Sequence, residues 1–163
     1  MNKNIVITLV VLVFLIGFGF VISGGRDKQS GNEGSLTSVD GEKVVIHKSP
    51  TCGCCGVYSS YLKKEGYGVE ENNMADMSVI KQSLGVPYEL ESCHTSEIGG
   101  YVVEGHVPNE AIEKLLSEKP DIKGIGMAGM PTGSPGMPGP KANDFLIYEI
   151  THEGAKGEIF MVI

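Results

Sequence analysis

Glycine and proline cut this chain into short pieces, and that punctuation limits what it can fold into. Pro50 ends a β-rich stretch at residues 43–48 carrying Val44, Val45 and Ile46. Residues 54–65 place Val57, Tyr58, Tyr61 and Leu62 at helical spacing, and Gly66 stops that helix. Residues 67–71 read as a second short strand. Asp76 is placed to cap a helix running to Leu84, with Met77, Ile80 and Leu84 on one face, before Gly85 and Pro87 break it. Residues 94–98 and 101–104 read as strands joined by Gly99-Gly100, a hairpin signal. Pro108 opens a helix with Ile112, Leu115 and Leu116 on its face, which ends before Pro120.

The order is βαβ, α, ββα, the element order of a thioredoxin-like α/β fold. A βαβ unit gives a parallel strand pair, and the hairpin adds antiparallel strands. Residues 119–143 hold six Gly, five Pro and three Met. The reading excludes a helix or a central strand there and leaves a Gly/Pro/Met-rich loop. Residues 145–150 and 157–162 form a C-terminal hairpin.

Two segments precede this region. Residues 5–22 carry no charge and come after a short basic head that includes Lys3. The run is longer than a usual secretory core of about 7–15 residues and slightly shorter than a spanning helix of about 20. Residues 1–22 are therefore a transmembrane anchor or a cleaved signal peptide, and the basic head favours export of the downstream chain. Residues 23–42 are rich in Gly, Ser, Asn and Asp and read as a flexible linker. The folded domain is residues 43–163. Its expected location is the cell envelope, outside the cytoplasm, either membrane-anchored or secreted.

Composition removes one class of function. The net charge is −7, Lys and Arg nowhere form a patch, and Trp is absent. Nucleic acid is therefore not an expected partner.

The chemistry is concentrated in four cysteines. Three stand in Cys52-Gly53-Cys54-Cys55, and Cys93 has His94 beside it. The triplet lies between a strand and a helix, where free N–H groups and the helix dipole stabilise thiolates. Cys52 and Cys55 have the C-x-x-C spacing of reversible disulfide chemistry. Cys54 adds a third sulfur that a two-thiol redox cycle does not need. Thiolates favour soft ions such as Cu(I), with Zn(II) the alternative. The two separated Cys pairs of an ordinary structural zinc site are missing. In a thioredoxin-like topology the loop entering the third strand faces the C-x-x-C end of the first helix, so Cys93 and His94 should meet the triplet. A structural disulfide, Cys52–Cys55 or Cys55–Cys93, is the bland alternative.

The segments KSPTCGCCG (48–56), LGVP (84–87), SCHT (92–95), GGYVVEGHVP (99–108) and GMPTGSPGM (129–137) resemble the CopG-like copper-resistance family, in the same order. The likeness covers about residues 44–148. It implies a thioredoxin-like fold, an envelope location and copper handling. It also implies that Cys52, Cys54, Cys55 and Cys93 carry the metal chemistry, with His94 as an auxiliary ligand. The expected function is binding of several Cu(I) ions for resistance or homeostasis, with a copper donor or acceptor protein as partner. The rival reading is a thiol-disulfide or copper-linked oxidoreductase that uses Cys52 for attack and Cys55 for resolution.

Other candidates are weaker. His106 reads as a packing or capping residue more readily than as a ligand. His47 and His152 read as structural or exposed. Met127, Met130 and Met137 either pin the long loop to the core or relay Cu(I) through thioethers. Residues 124–129 match G-x-G-x-x-G formally, but Pro120 and Pro131 deny the strand and helix that a dinucleotide site needs.

Overall fold

The computed structural model describes residues 41–163. The predicted anchor at 1–22 and nearly all of the predicted linker at 23–42 lie outside the described residues. Among the described residues, no helix is long and apolar enough to cross a membrane.

The domain is mixed α/β, with three helices and one seven-stranded sheet in the order β2-β1-β3-β4-β5-β6-β7. Strand β1 (Lys43–Lys48) runs parallel to β2 (Gly68–Asn73) and antiparallel to β3 (His94–Ile98). Helix α1 (Gly53–Lys64) joins β1 to β2 and buries Cys55, Tyr58, Ser59 and Leu62, an i, i+3, i+4, i+7 stripe. Val57, expected on that face, is instead exposed. Helix α2 (Met77–Leu84) starts where the Asp76 carboxylate accepts the Ser78 N–H at 2.8 Å and stops at Gly85, whose φ is 66°. Both glycines between β3 and β4 (Tyr101–Glu104) have positive φ, as the tight hairpin requires. Helix α3 (Asn109–Glu118) follows Pro108 and buries Ala111, Ile112 and Leu115.

Successive residues of β4 face opposite sides of the sheet. Val103 joins the larger apolar cluster with Ile46, Tyr58 and Leu62 from β1 and α1 and Ile112 and Leu115 from α3. Val102 joins a smaller one with Val86, Leu90 and Ile150, against which Leu84 of α2 packs.

One expectation needs correction. The Gly/Pro/Met segment does contain a central strand, β5 (Gly124–Gly126), parallel to β4 and antiparallel to β6 (Leu146–Ile150). Residues 121–130 contain no proline, so their amides are free to pair. The glycines that weaken strand propensity here permit close approach: a Cβ at position 124 would overlap the Val102 carbonyl. Strand β7 (Lys156–Val162) then closes the C-terminal hairpin with β6.

Candidate metal centre

Strand register brings the two cysteine segments together. The last residue of β1, Lys48, pairs with the first of β3, His94. The chain leaving β1 enters the triplet, and the chain entering β3 carries Cys93, so both occupy one end of the sheet. Cys52 is the N-cap of α1, in extended conformation, and Cys54 and Cys55 sit in the first turn. Cys93 Sγ lies 3.5 Å from Cys55 Sγ and 3.7 Å from Cys54 Sγ, and Cys54 Sγ lies 3.5 Å from Cys52 Sγ. All four sulfurs fall within 4.8 Å of one another. Cys52 and Cys55 are joined as a disulfide, while Cys54 and Cys93 are free thiols. Burial, then the neighbouring Cys54, pushes the Cys93 thiol up to about 12. A soft cation would have to displace that proton to bind.

A second donor group shares Cys93. His94 Nδ1 is 3.4 Å and His106 Nε2 is 3.1 Å from its sulfur. His106 reaches the site because β4 ends beside the start of β3: the Gly105 N–H donates to the His94 carbonyl at 3.1 Å, and Gly105 turns back at φ 83°. There the Pro135 carbonyl accepts from His106 Nδ1 at 2.7 Å. That bond fixes the tautomer and leaves the Nε2 lone pair facing Cys93. His94 is fully buried, its ring tilted against Tyr58 at a centroid distance of 4.5 Å and edge-on to His106 at 4.8 Å. Burial, helped by His106 and Lys81, lowers it to about 3, so it is a neutral imidazole across the ordinary pH range. Its Nε2 has no hydrogen-bond partner. Burial also lowers His106. Neutral nitrogen donors beside thiols are a donor set that fits a soft or borderline cation.

Behind this limb lies a buried ion pair. Lys81 from α2 binds Glu104 from β4, with 4% and 0% of the two side chains exposed. Thr95 Oγ1 accepts from Lys81 at 3.1 Å and donates to Glu104 Oε2 at 2.6 Å. The Ser92 N–H donates to Glu104 Oε1 at 2.6 Å. Burial pushes the Glu104 carboxyl up, while Lys81, Thr95 and the Ser92 amide pull it back. This network braces the residues on both sides of Cys93-His94.

The long loop is stitched to the site. Its residue 136 is held against α1, where a Cβ would lie 3.0 Å from the Cys54 carbonyl and the Tyr58 amide; φ there is 86°, so glycine is required. Met137, Pro138 and Gly136 line an opening of about 440 Å³ together with Cys54 and Val57. The three methionines divide: Met127 is buried in the core, Met130 is exposed, and Met137 borders the cysteines. His47 bonds Glu97 and Asn72 on the sheet, and His152 pairs with Asp121 at the surface. Residues 124–129 begin with β5 and no helix follows, so nothing there forms a nucleotide turn.

His106, read from the sequence as a packing or capping residue more readily than as a ligand, stands among the donors, and the Lys81–Glu104 pair has no counterpart in the sequence analysis. For the pair a signal existed. Lys81 is four residues from Met77 on the inward side of α2, and Glu104 alternates with the buried Val102.

A family model described as a protein of unknown function, DUF411, matches residues 90–137. Two solved structures of a copper resistance protein, copG, are similar at 38% identity. Form 2 aligns with a TM-score of 0.70 over 76% of this chain and 99% of that chain. Form 1 aligns with a TM-score of 0.69 over 76% of this chain and 98% of that chain. No curated protein matches the chain.

Proposed function

The chain belongs to the CopG-like copper-resistance family, and from that premise we propose that it is an extracytoplasmic Cu(I)-binding protein of metal resistance or homeostasis. In this reading Cys52, Cys54, Cys55 and Cys93 hold Cu(I) as thiolates once the Cys52–Cys55 bond is reduced. His94 is an auxiliary ligand, and His106 joins it as a second. The observation that carries the reading is the convergence of four sulfurs from two distant segments within 4.8 Å. Crowded thiolates bridge soft ions, so the reduced site takes several of them. Oxidation of the pair removes two donors and gates that capacity. A copper donor or acceptor protein is the expected partner.

We read the βαβ-α-ββα part of residues 43–163 as thioredoxin-like. Support comes from the order β2-β1-β3-β4 and from the placement of the triplet at the start of α1. The residue 1–22 segment would export the domain and, if retained, tether it to the membrane through the 23–42 linker.

Anaerobic Cu(I) titration of the reduced full-length chain tests the proposal. More than one tightly held ion per chain is expected, with a lower count in Cys54→Ser. Weak binding, or a count unchanged by that substitution, overturns it. Affinity should fall about tenfold per pH unit for each thiol that must lose its proton.

The Cys52–Cys55 disulfide keeps one rival in view, a thiol-disulfide or copper-linked oxidoreductase. Metal-independent reduction of insulin that survives Cys54→Ser would favour that rival.

A further inference from the structure

The Cys52–Cys55 bond accounts for two of the four cysteines. The other two, Cys54 and Cys93, are free thiols 3.7 Å apart, one from the first turn of α1 and one from the segment entering β3. Bonded sulfurs are about 2.05 Å apart, so these atoms have a gap of about 1.7 Å to close, which rotation about χ1 at the two residues can supply.

Their surroundings differ. Cys54 lines the opening of about 440 Å³ with Val57, Gly136, Met137 and Pro138. The two stretches that supply this rim, residues 49–62 and 124–140, contain no Asp, Glu, Lys or Arg. Cys93 is not at that opening. Its sulfur faces Cys54, Cys55 and the His94 and His106 nitrogens at 3.7, 3.5, 3.4 and 3.1 Å.

We propose that Cys54 and Cys93 form a second thiol–disulfide couple, in which Cys54 takes a small uncharged organic disulfide at the opening and Cys93 resolves the mixed disulfide.

In the first step the Cys54 sulfur attacks one sulfur of the disulfide RSSR. A Cys54–SR bond forms, the S–S bond of RSSR breaks, and RSH leaves with the Cys54 proton. In the second step the Cys93 sulfur attacks the Cys54 sulfur and the Cys54–SR bond breaks. A second RSH leaves with the Cys93 proton, for which His106 Nε2 is an acceptor at 3.1 Å. The chain gives up two electrons and two protons, and RSSR gains them. Holding Cys93 3.7 Å from Cys54 makes the second step intramolecular, so the adduct is short-lived. The inference goes beyond Cu(I) binding and uses the pair that the C-x-x-C spacing does not. With both bonds closed no thiolate remains for a soft ion, so capacity is lost in two steps.

Treating the full-length disulfide form with bis(2-hydroxyethyl) disulfide tests this, with free thiols counted beforehand to show that two remain. Both thiols should disappear together, the product should be lighter by two hydrogens, and proteolysis should yield a peptide joining Cys54 to Cys93. A Cys52→Ser/Cys55→Ser double variant should do the same, which rules out reshuffling of the first bond. Cys93→Ser should stall as a hydroxyethylthio adduct on Cys54. Cys54→Ser should react at least about tenfold more slowly, because Cys93 lacks the opening. A lasting adduct on the unsubstituted chain, an adduct formed first on Cys93, a new bond between Cys54 and Cys52, or no reaction overturns the proposal. The readout involves no ion, so it can fail while the Cu(I) titration of the reduced chain succeeds, and the reverse.

Discussion

The two limbs of the centre are built in opposite ways. The triplet limb is local: three cysteines within four residues, placed by a helix start and half open to solvent. The Cys93-His94 limb is held from a distance. Its histidine is fully buried, and its neighbours Ser92 and Thr95 are tied to Glu104 and Lys81 from β4 and α2. The difference implies a division of labour. Donor density sits where the fold is least invested, and rigidity sits where only one thiol is present.

Substitutions can put that division under strain. The largest effect is expected for Glu104→Gln, which strands the Lys81 charge in the interior and should cost about 3–5 kcal/mol of stability. Adding Lys81→Met should recover much of the loss. Urea unfolding reads both, and an unchanged midpoint in the single variant would show that the pair does not brace the buried limb. Acid comes next. His94 is held at about 3 in the fold, against 6.5 for a free histidine. The unfolded chain therefore takes up a proton that the folded chain refuses. The contribution is intact above about 6.5 and is lost as pH falls from about 6.5 towards about 3. Stability of the metal-free chain should decline across that window, and the part due to this ring should vanish in His94→Asn. Gly136→Ala forces an alanine into left-handed backbone against α1 and should cost about 1–2 kcal/mol. Smallest of all, Cys54→Ser should shift stability by no more than about 0.5 kcal/mol while lowering Cu(I) capacity. A large stability loss there would mean that the triplet limb also carries structural weight.

The same division explains what the sequence discloses. Helix caps, hairpin glycines and apolar spacing are local signals, and α1, α2, the β3–β4 turn and α3 could be read from them. The approach of Cys93 to the triplet follows from pairing β1 with β3, so topology was enough to expect it. β5 was missed because two of its three residues are glycines, whose value lies in the space they leave beside Val102 and not in any preference for strand. His106 looked like a residue near a helix start. Its path to Cys93 depends on the reversal at Gly105 and on a carbonyl 29 residues downstream. Lys81 and Glu104 each sit on an inward-facing position, but that spacing does not say that the two charges meet, since their pairing joins α2 to β4.

That downstream carbonyl has a mechanical consequence. Pro135 belongs to a segment without regular structure, yet its oxygen decides which side of the His106 ring bears the proton. If the segment were peeled back, the imidazole would be free to swap tautomers and turn an N–H towards Cys93, which repels a cation. Displacing one peptide oxygen would then serve as a release catch for whatever ion the ring helps to hold.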